Sequence, residues 1–202
     1  MPLRPYFAET VAVGPFNPFI VTPEWLVREK VFQERDVKDF RPGLLTEGAS
    51  FGIGAFEWIV DYRRITASSR RPKDNCGTKV AAVIRLLHHT PVEAVGHNFH
   101  FMCQWAEWRG KRLPQLGDQG VEAFRHASQV SWAANIRRDD ALIETTLVAI
   151  PGEVVIVRFN HEHRTDPQKN SEAEVAAEKY GIDFRLSVEL LQQIYDSEMS
   201  NE

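Results

Sequence analysis

Apolar and polar residues alternate along several stretches of the chain, and that alternation predicts its strands. Glu9–Val13 (ETVAV) reads as a short strand closed by Gly14-Pro15. Residues 51–69 (FGIGAFEWIVDYRRITASS) set Phe56, Trp58 and Val60 against Glu57, Ile59 and Asp61. The pattern predicts one long strand, or a hairpin turning near Asp61–Arg63. Val92–Phe101 (VEAVGHNFHF) repeats the alternation. Three strands then follow in succession: Val130–Arg137, Ala141–Ile150 and Glu153–Asn160 (EVVIVRFN). Their turns fall at Arg138-Asp139-Asp140 and at Pro151-Gly152, where proline fixes φ and glycine takes φ > 0.

Helical spacing appears between these strands. Thr22-Pro23-Glu24 combines a hydroxyl cap, a proline in the first turn and an acid near the positive end of the dipole. Trp25, Leu26 and Val31 give that helix an apolar side. Asn75 or Thr78 caps a second helix, whose Val80, Val83, Ile84 and Leu87 recur at i, i+3, i+4 and i+7. His88-His89 fall in its last turn and Thr90-Pro91 ends it. A closing helix, Phe184–Glu198, carries the stripe Leu186, Leu190, Leu191, Ile194 and Tyr195. Residues 33–48 read as a loop, 106–128 as turns with a short helix around Val121–Ala127, and 163–180 as a charged, partly helical connection.

The element order is β-α-β(-β)-α-β, then a three-stranded meander, then a helix. It predicts a single α+β domain over residues 1–202, a mostly antiparallel sheet with helices on one face and a ferredoxin-like first half. The meander either extends that sheet or packs as a second layer. The segment TPVEAVGHNFHF, in its strand-helix-strand setting, resembles conserved bacterial proteins without assigned activity; the resemblance implies no role for any residue.

Composition narrows the class. With 43% hydrophobic and 26% charged residues in 202, the chain can build a core without disulfides or a structural metal. Cys76 and Cys103 lack metal-ligand spacing and read as reduced thiols, which points to a cytoplasmic setting. Neither a signal peptide nor a membrane span is expected. The net charge of -4 gives no overall attraction to nucleic acid or anionic lipid.

Four groups of residues could carry chemistry. His161 and His163 in NHEH share one face of a strand, and His97 shares a face with Val95, Phe99 and Phe101. If the two strands were neighbours, His97, His161 and His163 would converge, with Glu162 or Asp166 nearby. Such a set would suit a divalent metal and a polarised water. Against this, NHEH sits where its predicted strand leaves the sheet. Arg63, Arg64, Arg70, Arg71 and Lys73, beside Tyr62, form a basic segment that could grip phosphates. Trp105, Trp108 and Arg109 make an aromatic–arginine cluster of the kind found at interfaces. Cys76, at a helix start, is placed where a thiol pKa can fall.

The favoured reading is a non-catalytic binding or assembly protein that needs no cofactor. It would associate with itself or a protein partner through a sheet edge such as Val154–Phe159, or through the closing helix. A metal-dependent hydrolase built on the three histidines, and nucleic-acid binding through residues 62–73, are the alternatives.

Overall fold

In a computed structural model, residues 3–39, 41–43, 48–108, 129–138 and 141–195 are described. Nine strands form one sheet: β1 (Arg4–Val13), β2 (Arg41–Gly43), β3 (Ala49–Ile53), β4 (Phe56–Val60), β5 (Arg64–Ser69), β6 (Ala94–Gln104), β7 (Val130–Arg138), β8 (Ala141–Ile150) and β9 (Val154–Arg164). Their order is β2-β3-β4-β5-β1-β6-β9-β8-β7, and every neighbouring pair is antiparallel. The α+β class is therefore as expected, and the meander extends the sheet rather than adding a layer.

The ferredoxin-like arrangement is not confirmed. β5 and β6 do flank β1, but a further meander, β2 to β5, lies on one side of β1 and four strands lie on the other. Residues 51–69 fold into three strands. Ile53 pairs with Phe56 across a two-residue loop, where Gly54 takes φ 58, as the first position of a type II′ turn requires. The second turn falls where the hairpin was expected: Asp61 Oδ1 accepts from the N–H groups of Arg63 (2.8 Å) and Arg64 (3.0 Å). The predicted loop 33–48 contains a 3-10 turn, Glu34–Asp39, and the edge strand β2. β9 runs through His161 and His163 to Arg164, so NHEH lies inside the sheet.

The helices are α1 (Pro23–Arg28), α2 (Cys76–Leu86), α3 (Trp105–Trp108), α4 (Asn170–Glu178) and α5 (Tyr180–Tyr195). Both predicted caps form: Thr22 Oγ1 accepts from Trp25 N–H at 3.2 Å, and Asn75 Oδ1 from Thr78 N–H at 3.1 Å. His88-His89 lie just past α2 rather than in its last turn. The helix expected around Val121–Ala127 lies outside the described residues.

α2, α4 and α5 pack on one face of the sheet. α2 approaches closely at Gly77, where a Cβ would lie 2.2 Å from the Ala177 carbonyl oxygen and 2.6 Å from Tyr180 Cβ. On the outside, Arg85 bridges Glu174 and Glu178. The apolar stripe of α5 covers its own sheet: Leu190 and Leu191 are buried, and Leu186 and Ile194 pack against the core. Val154–Phe159 belongs to an interior strand between β6 and β8. Neither Val154–Phe159 nor the apolar stripe of α5 is therefore available to a partner, and the sheet edges are β2 and β7. No helix among the described residues is long and apolar enough to cross a membrane.

Register sorts the side chains into rows. On the covered face Trp58, Ala67, Thr10, His97, His161 and Ile143 follow one another across six strands, all buried. On the other face a polar row runs across seven: Glu57, Ser68, Glu9, Asn98, Asn160, Glu144 and Asn135. These seven are half-buried or exposed.

Candidate functional site: a buried histidine–aspartate layer

The covered row places three imidazoles at the centre of the molecule. His97 and His161 face each other across the β6–β9 ladder, and His163 lies two residues on along β9. The strands are neighbours, as convergence required. The acid that joins them is neither Glu162, on the opposite face, nor Asp166, in the exposed connection, but Asp183 from the first turn of α5. Ser187, one turn further along α5, completes the layer.

Donors and acceptors fix the protons. His97 Nε2 is 3.0 Å from the Ala176 carbonyl oxygen, which can only accept, so Nε2 carries a hydrogen. His97 Nδ1 then accepts from the Thr10 hydroxyl at 3.0 Å. Ser187 donates its hydroxyl proton to the Asp183 carbonyl oxygen at 2.9 Å, so it accepts from His161 Nε2–H at 2.7 Å. His163 Nε2–H donates to Asp183 Oδ2 at 2.7 Å. One atom is left over. His161 Nδ1 holds a lone pair, is buried without a partner, and faces Asp183 Oδ1 at 3.7 Å.

Burial drives the His97 and His161 pKa values down to about 4 in each case, against the upward pull of Asp183. For His97 the Ala176 carbonyl pulls upward too. Both rings are therefore neutral at physiological pH, in agreement with the hydrogen-bond assignment. Tyr180 closes the layer, its ring edge-on to His97 at 5.5 Å and its hydroxyl donating to the Pro72 carbonyl at 2.7 Å.

The predicted metal trio does not come together as one set. The residues whose ligand atoms lie within 4.8 Å of one another are His97, His163 and Asp183, with His161 outside. The chemistry of a His–His–Asp set suits zinc. In this arrangement, however, both Nε2 atoms carry protons engaged in hydrogen bonds, His97 with a backbone carbonyl and His163 with the carboxylate itself. A metal there would have to take both Nε2 atoms from these hydrogen bonds, shifting the ring protons and breaking the Ala176 contact.

The other candidates are dispersed. Arg63 and Arg64 sit at one end of β5, and Arg70, Arg71 and Lys73 at the other. A six-residue strand separates them by roughly 20 Å, so they form two patches rather than one. Arg64 pairs with Asp61 at 3.2 Å and Arg71 with Asp74 at 3.0 Å. Trp108 is buried, Trp105 is half-buried against the core, and Arg109 lies outside the described residues. Neither cysteine is in a disulfide, and both are buried. Burial, reinforced by Asp74, pushes the Cys76 thiol up to about 12, the reverse of a reactive thiol at a helix start.

Asp183, Ser187 and Thr10 escaped the sequence reading because they are polar members of apolar series. Asp183 and Ser187 continue the Leu190, Leu191 and Ile194 stripe backwards at helical spacing. That continuation was the available signal.

No protein-family model matches the chain, and no curated protein matches it either.

Proposed function

We propose that the chain is a non-catalytic binding and assembly protein that pairs with a second copy of itself through the face of its sheet opposite α2, α4 and α5. The observation that carries this reading is the seven-residue polar row on that face. It mixes carboxylates (Glu57, Glu9, Glu144) with amide and hydroxyl donors (Asn98, Asn160, Asn135, Ser68). A surface that offers acceptors and donors in near balance is complementary to itself, which a two-fold interface requires. Arg158 and Arg137 lie on the same face.

Size supports the reading. Six strands, β5 to β7 through the sheet centre, at about 4.8 Å spacing and about 33 Å long, give a face of roughly 900 Å². A stable interface needs about 800 Å² from each partner. Val13 and Leu142, both partly exposed on this face, supply apolar contact beside the polar row. Two buried thiols outside any disulfide fit a reducing, cytoplasmic setting.

Sedimentation velocity tests the proposal. The wild-type chain is expected to run as a dimer. Val13→Glu with Leu142→Glu is expected to run as a monomer with an unchanged far-ultraviolet circular dichroism spectrum. A wild-type chain that stays monomeric at its highest soluble concentration would overturn the reading.

A further inference from the structure

We propose that a groove over His163 is a binding site for a small oxyanion that still carries a hydroxyl, hydrogen phosphate being the simplest member. The groove has a volume of about 360 Å³ and runs between the end of β9 and α4. His163, Arg164, Thr165, Ser171, Val175 and Lys179 line it. Its size is at the lower end of small-molecule sites. It is the point where the buried histidine layer reaches the surface.

The character of the site follows from the proton positions. Asp183 accepts the His163 Nε2–H at 2.7 Å, so in the neutral ring the lone pair sits on Nδ1. Nδ1 has no hydrogen-bond partner among the described residues. Since His163 lines the groove, we take this nitrogen as the one that a ligand there meets. Asp183 also holds the ring in place from behind, as an orienting carboxylate does. The floor of the groove thus offers an acceptor.

The walls offer the opposite. Arg164 is largely exposed, paired at Nε with Glu162 at 3.1 Å, and Lys179 lines the groove as a second cation. Ser171 adds a hydroxyl. Glu172, on the rim, is paired with Lys169 at 3.2 Å and accepts from Asp166 N–H at 3.2 Å, so part of its charge is answered outside the groove. A ligand that suits this lining must donate one hydrogen bond to Nδ1 and present anionic oxygens to the cations. Hydrogen phosphate and phosphomonoesters in their singly protonated form do both. Sulfate matches the charge and shape but has no proton to donate.

Calorimetric titration with inorganic phosphate and with sulfate at mildly alkaline pH tests the site. Saturable phosphate binding is expected, with sulfate at least tenfold weaker. His163→Leu removes the acceptor and is expected to weaken phosphate at least tenfold. Because His163 is buried and that variant can fail to fold, Val175→Trp is the second probe. Val175 is exposed on α4, and an indole there fills the groove without entering the core. It is expected to abolish phosphate binding at an unchanged melting temperature. Three results would each overturn the proposal: no phosphate binding to the wild type, equal affinity for sulfate, or unaltered binding to Val175→Trp.

Discussion

Replacing Asp183 by asparagine and by alanine separates the proton assignment in the buried layer from its alternatives. Asp183 Oδ2 accepts from His163 at 2.7 Å, while Oδ1 faces the bare lone pair of His161 Nδ1 at 3.7 Å. Asp183→Ala removes the acceptor, leaving a buried N–H on His163 without a partner. A lost hydrogen bond to a charged group with an orphaned donor costs about 3 kcal/mol. Asp183→Asn is nearly isosteric. Its carbonyl oxygen still accepts from His163, as a neutral bond about 1 kcal/mol weaker than the charged one. Its amide can donate to His161 Nδ1 after closing the gap by a fraction of an ångström, which restores about 1 kcal/mol or more. The asparagine variant is thus expected within about 1 kcal/mol of wild type, and the alanine variant about 3 kcal/mol below it. Urea denaturation followed by circular dichroism, with equal slopes for all three proteins, measures both. Were His161 instead an imidazolium paired with Asp183, asparagine would strand a buried charge and cost about 3–5 kcal/mol. A loss of that size, or a wild-type melting temperature that falls on chelation, would refute the assignment.

Other consequences are open to measurement. His97 and His161 have pKa values of about 4 in the folded chain against 6.5 as the ordinary value. Between those limits the unfolded chain binds more protons, so stability falls as the pH drops through that window, by at most about 3 kcal/mol per site, and levels off below it. Glu9, raised by burial, acts in the opposite sense as the pH climbs above its ordinary value; urea titrations across the acid range give the net slope. Gly77→Ala forces a methyl against the Ala177 carbonyl and is expected to cost about 1–3 kcal/mol, seen as a lower urea midpoint. Neither Cys76 nor Cys103 is expected to react with a thiol reagent in the folded protein, and both react in urea; labelling of the native chain at the free-thiol rate would contradict their burial.

Much of the fold was legible because its signals are local. The caps at Thr22 and Asn75, the meander of the last three strands and the shared face of His161 and His163 all follow from spacing within a few residues. What escaped depends on distant partners. That β9 pairs with β6, and so brings His97 opposite His161, is a contact between residues 64 positions apart, and no local period encodes it. NHEH looked like a strand exit because its imidazoles are polar; the polar layer of α5 that receives them makes it an interior strand. Asp183 stayed hidden because α5 begins four residues before the apolar stripe suggested. Pro42 and Gly43 fall in the stretch 33–48 read as a loop, and the strand they belong to lies at the sheet edge, where proline's missing donor is harmless.

β1 sits between β5 and β6 although both are made after it. During synthesis it waits about fifty residues for β5 and about eighty for β6, so assembly carries a high contact order and closes late. A chain without Arg4–Val13 would keep two ragged half-sheets parted by a slot one strand wide. A separate peptide of that sequence is the natural plug for the slot, which makes this chain a candidate for splitting into two complementing fragments.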